Sequence, residues 1–435
     1  MKLISIIVDR IKQSDIGKRL VSGASWSLIG TASAKFLVLV SGIICARILG
    51  KVEYGELGMV RSTISLFVAI GSAGLGLTAS KYISEYRAKN NTDKISEIYL
   101  LTNGLALVTG LLVSLIVYFT SAILASELLN APHIENDLKI GSILLFVTIL
   151  NGAQNGVLSA YEDFKSIAIN TFISSFIEAI LIVLGAKYWG VLGALLGFGC
   201  SYVILFILNN NVIRKTFIRN HISLKWKISR DSFTILYKFS IPALLSTLLV
   251  TPAFWIAKAM LANKAGFAEV GIYEVADQWK IIILFFPSAV SQIVLPILSN
   301  LKSSDSSLNK YWKVLWLNVL LNGGVCLFLS LIVIAFNPLI LSLYGNEYNN
   351  SLPLIVIVLS TIFTSIAQVV GLAIASMGKM WIGCIFNIIW AVMLIIFCYI
   401  FINIGLGATG VALALLVSYF IHAVVQLIYL KLSSK

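Results

Sequence analysis

Glu274, Asp277 and Lys280 stand within three turns of one another in an otherwise apolar stretch, Gly271 to Ser299, that is long enough to cross a bilayer as a helix. A charge in the middle of a membrane costs roughly 2.5 to 3.5 kcal/mol on insertion scales, so groups of this kind face a wet cavity or one another. Asp277 and Lys280, spaced i, i+3, can pair along one helix face. Pro287 and Pro296 follow, and each removes a backbone hydrogen bond that lipid cannot replace. A charged, twice-interrupted membrane helix is what a transport pathway requires.

Other intramembrane charges extend the set. Lys35 lies near the middle of the first apolar run, too deep for its stem to reach either surface easily, and Arg61 lies about a turn inside the second. Glu178 is almost central in the fifth. A carboxylate there is either paired with a cation or protonated, as in the proton relays and sodium sites of transporters. Its depth matches that of Lys35, so the two are expected to face one cavity, either as a structural pair or as separate functional groups. Lys238 and Lys258 lie in the seventh run, where snorkelling to the surface competes with a cavity role.

These residues need a membrane scaffold to position them, and the composition supplies one. Hydrophobic residues make up 59% of the 435 and charged residues 12%, with a mean hydropathy of +0.95. Soluble domains carry about a quarter charged residues. Apolar runs of roughly 20 residues or more begin at twelve places, the first near residue 21 and the last near 405, predicting twelve spans. The formal charge of +13 follows topology rather than a nucleic-acid footprint: with the N-terminus inside, 21 of the 32 Lys and Arg fall in cytoplasmic segments, five outside and six within spans. The positive-inside rule therefore predicts that both termini are cytoplasmic. Cys45, Cys200, Cys326, Cys384 and Cys398 lie in apolar runs without CxxC spacing or an adjacent His, and read as small core hydrophobes.

The chain divides into a cytoplasmic amphipathic segment at 1–20, a first lobe of six spans at 21–212, a basic cytoplasmic linker at 213–232 and a second lobe of six spans at 233–435. An internal repeat supports the midpoint. Gly193-Ala194-Leu195-Leu196 with Ser201-Tyr202 recurs as Gly410-Val411-Ala412-Leu413 with Ser418-Tyr419, Gln154 with Lys165 recurs as Gln368 with Lys379, and Gly55 recurs as Gly271. The offsets agree within three residues, and six spans separate equivalents, so the lobes keep one orientation about an axis along the membrane normal. Four of the seven prolines, Pro242, Pro252, Pro287 and Pro296, fall in spans 7 and 8, making that pair the expected bending element, with Pro252 and Pro287 as gating residues. Asn151, Gln154 and Asn155 in span 4 are expected to bond across helices, and His422 to be a hydrogen-bonded core histidine.

Arg47-Ile48-Leu49-Gly50 followed by Tyr54-Gly55 resembles the junction of the first two helices in polysaccharide-exporting members of the multidrug/oligosaccharidyl-lipid/polysaccharide exporter superfamily. Gly271-Ile272-Tyr273, Ala276, Gln278-Trp279-Lys280 and Phe286-Pro287-Ser288 are similar to the start of helix 8 in Wzx-type O-antigen flippases. The resemblance implies an all-α fold of twelve transmembrane helices in two six-helix lobes around a central cavity. It also implies transfer of an undecaprenyl-diphosphate-linked oligosaccharide from the cytoplasmic to the outer face of a bacterial inner membrane. By position, Lys35, Arg61, Lys258 and Lys280 are then the expected substrate cations. Glu178, Glu274 and Asp277 are the groups expected to pair with them or to couple transport to H+ or Na+. No other cofactor is expected. Membrane lipids, a polysaccharide polymerase and a chain-length regulator are the expected partners, and nucleic acid is not.

Physical reasoning agrees, because a sugar diphosphate cannot cross about 30 Å of hydrocarbon without a wet, cation-lined path. The lipid tail gains nothing by leaving the bilayer, so a gap between spans 1 and 8 must open sideways. In this scheme an incoming diphosphate competes for Lys280 and frees Asp277 to take up a proton. A multidrug antiporter shares the fold but favours an acidic cavity. A polymerase or ligase is expected to carry a large outer loop, and the outer loops here are short.

Overall fold

The computed structural model describes residues 15–72, 74–225, 229, 232, 234, 240, 250–302, 308–377 and 379–433, and the side chains of these except at 15–24, 289–302, 308–310 and 433. Residues 1–14 of the expected amphipathic segment, Lys238 and Pro242 lie outside this set, as does the side chain of Pro296. The regular elements among the described residues are helical. The first half forms α1 (Asp15–Gly71), α2 (Leu75–Ala88), α3 (Thr92–Ile123), α4 (Glu135–Ala160) and α5 (Phe164–Arg219). The second half forms α6 (Val250–Ala265), α7 (Phe267–Lys302), α8 (Leu308–Ala335), α9 (Asn337–Tyr344), α10 (Leu352–Ser376), α11 (Met380–Asn403) and α12 (Gly407–Ser433).

Eight helical stretches among the described residues are long and apolar enough to cross a membrane. Two of them are double. α1 has 57 residues and α5 has 56, and a straight helix of that length would measure about 85 Å, nearly three hydrocarbon thicknesses. The backbone folds each back. Gly50 (φ 73, ψ 174) interrupts α1, and Trp189 (φ −136, ψ 17) with Gly190 (φ 59, ψ −142) interrupts α5. The two glycine conformations are closed to residues with a Cβ, so glycine lets two spans meet almost without a loop. α1 is thus spans 1 and 2, with α2 continuing span 2, and α5 is spans 5 and 6. α6 and α7, divided at Gly266 (φ 87), supply the end of span 7 and span 8. The twelve-span layout is accounted for.

The same devices recur in both halves. Gly50 and Gly266 are equivalent positive-φ turns, as are Gly190 and Gly407 (φ 50). Glu53 lies against Gly190, and its equivalent Glu269 accepts a hydrogen bond from Ala408 N at 2.7 Å, so an acid at the head of span 2 or 8 meets the N-terminus of span 6 or 12. A carboxylate there complements the helix dipole.

α1 packs mainly on α5 and α3 on α4, while α10 packs on α12 and α8, giving two bundles. α7 joins them, lying against both α1 and α10. It stays helical through Pro287, which is buried and whose nitrogen cannot donate the backbone hydrogen bond of the turn before it. Two of the three span 4 amides bond across helices as expected: Asn151 Nδ2 donates to Tyr202 O at 2.9 Å, and Asn155 Oδ1 accepts from Asn209 Nδ2 at 3.1 Å, whereas the buried Gln154 Oε1 has no partner among the described residues. Cys45, Cys326 and Cys398 are buried, but Cys200 is exposed and Cys384 half-buried, so these two are not core residues. The basic stretch after α5 is not a free loop. Lys225 pairs with Asp93 at 2.7 Å, and buried Glu97 accepts from Ser232 Oγ at 2.7 Å, tying this stretch to the head of α3.

Candidate functional site

The i, i+3 pair legible in the sequence is half of a four-membered cluster. Lys280 pairs with Asp277, and Lys258 of α6 bridges to Glu274 at 2.6 Å and to Asp277 at 3.6 Å. Lys258 and Lys280 are only 8% and 7% exposed, so Lys258 does not snorkel. Two cations and two carboxylates balance here, and neither lysine is left uncompensated. Aromatic rings complete their surroundings: the Lys280 ammonium lies 4.7 Å from the centroid of Phe254, and that of Lys258 lies 5.6 Å from Tyr273.

The first lobe presents glycine where the second presents charge. Gly42 and Gly58 are the repeat equivalents of Lys258 and Glu274. A Cβ at Gly58 would strike the Glu274 side chain, and one at Gly42 would strike Gln278, so these glycines make the room in which α7 lies against α1. Gln278 donates to the Tyr54 hydroxyl and accepts from Tyr344 Oη at 3.1 Å, while Trp279 Nε1 donates to the same Tyr344 oxygen at 3.1 Å. The Gln278-Trp279 part of the motif thus fastens α7 to α1 and α9. Sequence spacing could not reveal this role, because its partners lie far away in the chain.

Arg61 takes the place expected for Lys35 beside Glu178. Its guanidinium lies 3.5 Å from Glu178 Oε1 and 4.6 Å from the centroid of Phe198, and Ser201 Oγ donates to the other carboxylate oxygen at 3.4 Å. Of the two arrangements open to Lys35 and Glu178, the structural pair is not formed, and Glu178 is not among the residues lining the Lys35 cavity. The reason is geometric: Glu178 is 8% exposed in the interface between α1 and α5, and Lys35 faces α7 instead.

Lys35 lines a cavity of about 350 Å³ between α1 and α7, walled by Ser27, Leu28 and Thr31 on one side and Ile281, Leu284, Phe285 and Ser288 on the other. Among the described residues no carboxylate lines it. Ser288 also borders a larger cavity, about 700 Å³, between α10, α11 and α12. His422 on its wall is bonded through Nε2 to Gln426 at 2.9 Å, in keeping with a hydrogen-bonded core histidine. Pro252 lies in α6, near neither Lys35 nor the α7 motif in sequence.

Gln368, Asn387, Trp390 and Gln426, which share the larger cavity, were not grouped by sequence reasoning. Their spacing within α11 and α12, Asn387 with Trp390 and His422 with Gln426, would have placed each pair on one helix face. The pairing of the two helices had no sequence signal. A further polar contact at the Gly50 end, His133 Nε2 with Glu56 Oε1 at 2.7 Å, was also unforeseen.

The chain is similar to the EPS I polysaccharide export inner membrane protein EpsE of Ralstonia nicotianae, 24% identical over 45% of each chain. It is also similar to the lipid III flippase of Escherichia coli, 19% identical over 62% of this chain and 66% of that one. The match to EpsE spans about half the length of that relative. Among solved structures, the inward-facing conformation of a multidrug resistance MATE family transporter of the MOP superfamily superposes with a TM-score of 0.75, covering 92% of this chain and 94% of the other at 15% identity. That likeness is one of fold: two lobes of membrane helices in a multi-pass protein. The polysaccharide biosynthesis protein family matches residues 20–302, well over half of the sequence, and the chain belongs to that family.

Proposed function

We propose that the protein is a flippase for undecaprenyl-diphosphate-linked oligosaccharides, carrying them from the cytoplasmic to the outer face of the bacterial inner membrane by alternating access of its two lobes, 21–212 and 233–435, about the 213–232 linker. The observation that carries the reading is Lys35. It lines a cleft between α1 and α7, where the lobes meet, without a carboxylate among the described residues on that wall. A diphosphate held there by the ammonium keeps its prenyl tail in lipid through the lateral opening. Arg61, Lys258 and Lys280 serve differently from Lys35, since each already has an acidic partner and releases it only as the lobes move.

The multidrug reading shares the fold but is less well supported, because the relatives matched in sequence bear the names of polysaccharide exporters and a flippase. Coupling to H+ falls to Asp277, which lies between two lysines and gains a proton when either is drawn away. The polymerase and the chain-length regulator act downstream on the emerging cargo. Deletion of the gene tests the reading. It should abolish surface polysaccharide while lipid-linked repeat units accumulate, and normal surface polysaccharide without such accumulation would contradict it.

A further inference from the structure

The 700 Å³ cavity between α10, α11 and α12 lies within the size range of small-ligand sites. Its described lining carries no Asp, Glu, Lys or Arg. Polar groups line it nonetheless. Gln368 comes from α10, Asn387 and Trp390 from α11, and Tyr419, His422 and Gln426 from α12.

Two of these polar groups are left wanting. Trp390 and Gln426 are each 2% exposed, yet the indole N–H of Trp390 and the side-chain oxygen of Gln426 have no hydrogen-bond partner among the described residues. A buried donor or acceptor without a partner opposes folding, so such groups persist where a ligand or water completes them. Phe254 at 5.5 Å and Tyr419 at 4.9 Å between centroids pack against the Trp390 ring.

We infer that this cavity is a binding subsite for an uncharged sugar ring, which the Trp390 N–H, the Gln426 carbonyl and the Gln368 and Asn387 amides engage through hydroxyl or acetamido groups. A sugar hydroxyl both donates and accepts, so it can satisfy an orphan donor and an orphan acceptor alike. An anionic sugar is disfavoured, because the described lining offers its carboxylate no cation. The inference rests on the proposed lipid-linked cargo and extends it. The Lys35 cleft and this cavity share Ser288 on their walls, which puts the sugar subsite next to the proposed diphosphate site.

Binding to purified protein in nanodiscs separates the two claims. The probes are bare decaprenyl diphosphate and decaprenyl diphosphate bearing glucose, galactose, N-acetylglucosamine or glucuronic acid. At least one uncharged headgroup should raise affinity fivefold or more over the bare lipid, and glucuronic acid should raise it by less. Trp390→Phe, which keeps the ring and removes only the N–H, and Asn387→Ala should each lose the sugar increment while binding the bare lipid as the wild type does. The inference is overturned if every uncharged headgroup gains less than fivefold, if glucuronic acid gains as much as the best of them, or if both variants keep the increment. The wild-type comparison stands even if a variant misfolds. Loss of bare-lipid binding in Lys35→Gln concerns the diphosphate site alone and leaves the sugar increment as a separate readout.

Discussion

Gly55 of α1 and Gly271 of α7 are equivalent residues of the two lobes, and each stands where the other's helix leaves no space for a side chain. A Cβ on Gly55 would come within 2.8 Å of Gly271 N, and one on Gly271 would strike the carbonyl of Lys51. The lobes therefore touch backbone to backbone near the Gly50 and Gly266 turns, with the ion cluster and its tyrosine and glutamine partners just beyond.

Gly271→Val should force this end apart. Spin labels at Val52 and Leu339, both exposed, are expected to report a longer distance in the variant than in the wild type when placed in a background without the native cysteines. An unchanged distance distribution would mean that the glycine contact does not hold the lobes together.

Lys258→Met removes one of two cations from a buried cluster of two carboxylates. Breaking a buried pair by removing one partner costs about 3–5 kcal/mol, because it strands a charge. The detergent-solubilised variant should melt at a lower temperature, and Lys258→Met with Glu274→Gln should recover most of the loss. If the double variant is no more stable than the single one, Lys258 and Glu274 are not energetically coupled.

Arg61 and Glu178 should show the coupling once expected of Lys35 and Glu178. The Arg61 side chain is 31% exposed, so loss of either partner should cost roughly 1–3 kcal/mol, less than for a dry pair. In a double-mutant cycle, Arg61→Gln with Glu178→Gln should cost less than the sum of the singles, whereas Lys35→Gln with Glu178→Gln should be additive. Additivity in the first cycle would show that the 3.5 Å contact carries no energy.

What the sequence disclosed follows from the range of the interaction. Span count, the repeat and the Asp277–Lys280 pair are local or periodic, and each is present in the fold. Lys258 with Glu274 and Arg61 with Glu178 join different helices, and depth in the membrane alone does not tell which of several buried ions a carboxylate will meet. Depth made Lys35 and Glu178 look like partners, but Lys35 lies on the side of α1 that faces α7 and Arg61 meets Glu178. Pro287 lies within a continuous helix, as a proline can where neighbouring helices support it, and α7 packs against α1 and α10.

Orientation rests on the 21-to-5 distribution of basic residues and is open to a direct check. Asn130 and Asn220 are both exposed, and they follow spans 3 and 6, which end on opposite faces of the twelve-span layout. A cysteine at Asn130 should react with a membrane-impermeant thiol reagent in intact cells once any outer barrier is opened, and one at Asn220 should be protected. Preferential labelling at Asn220 would invert the topology.

The central claim is that Lys35 holds the diphosphate in the cleft between α1 and α7. The most direct measurement is the rate at which proteoliposomes flip a decaprenyl-diphosphate-linked disaccharide, comparing wild type with Lys35→Gln and Lys35→Arg at matched protein content. We expect Lys35→Gln to fall at least tenfold, with Lys35→Arg retaining most of the rate because a cation remains. A wild-type rate in Lys35→Gln would contradict the account.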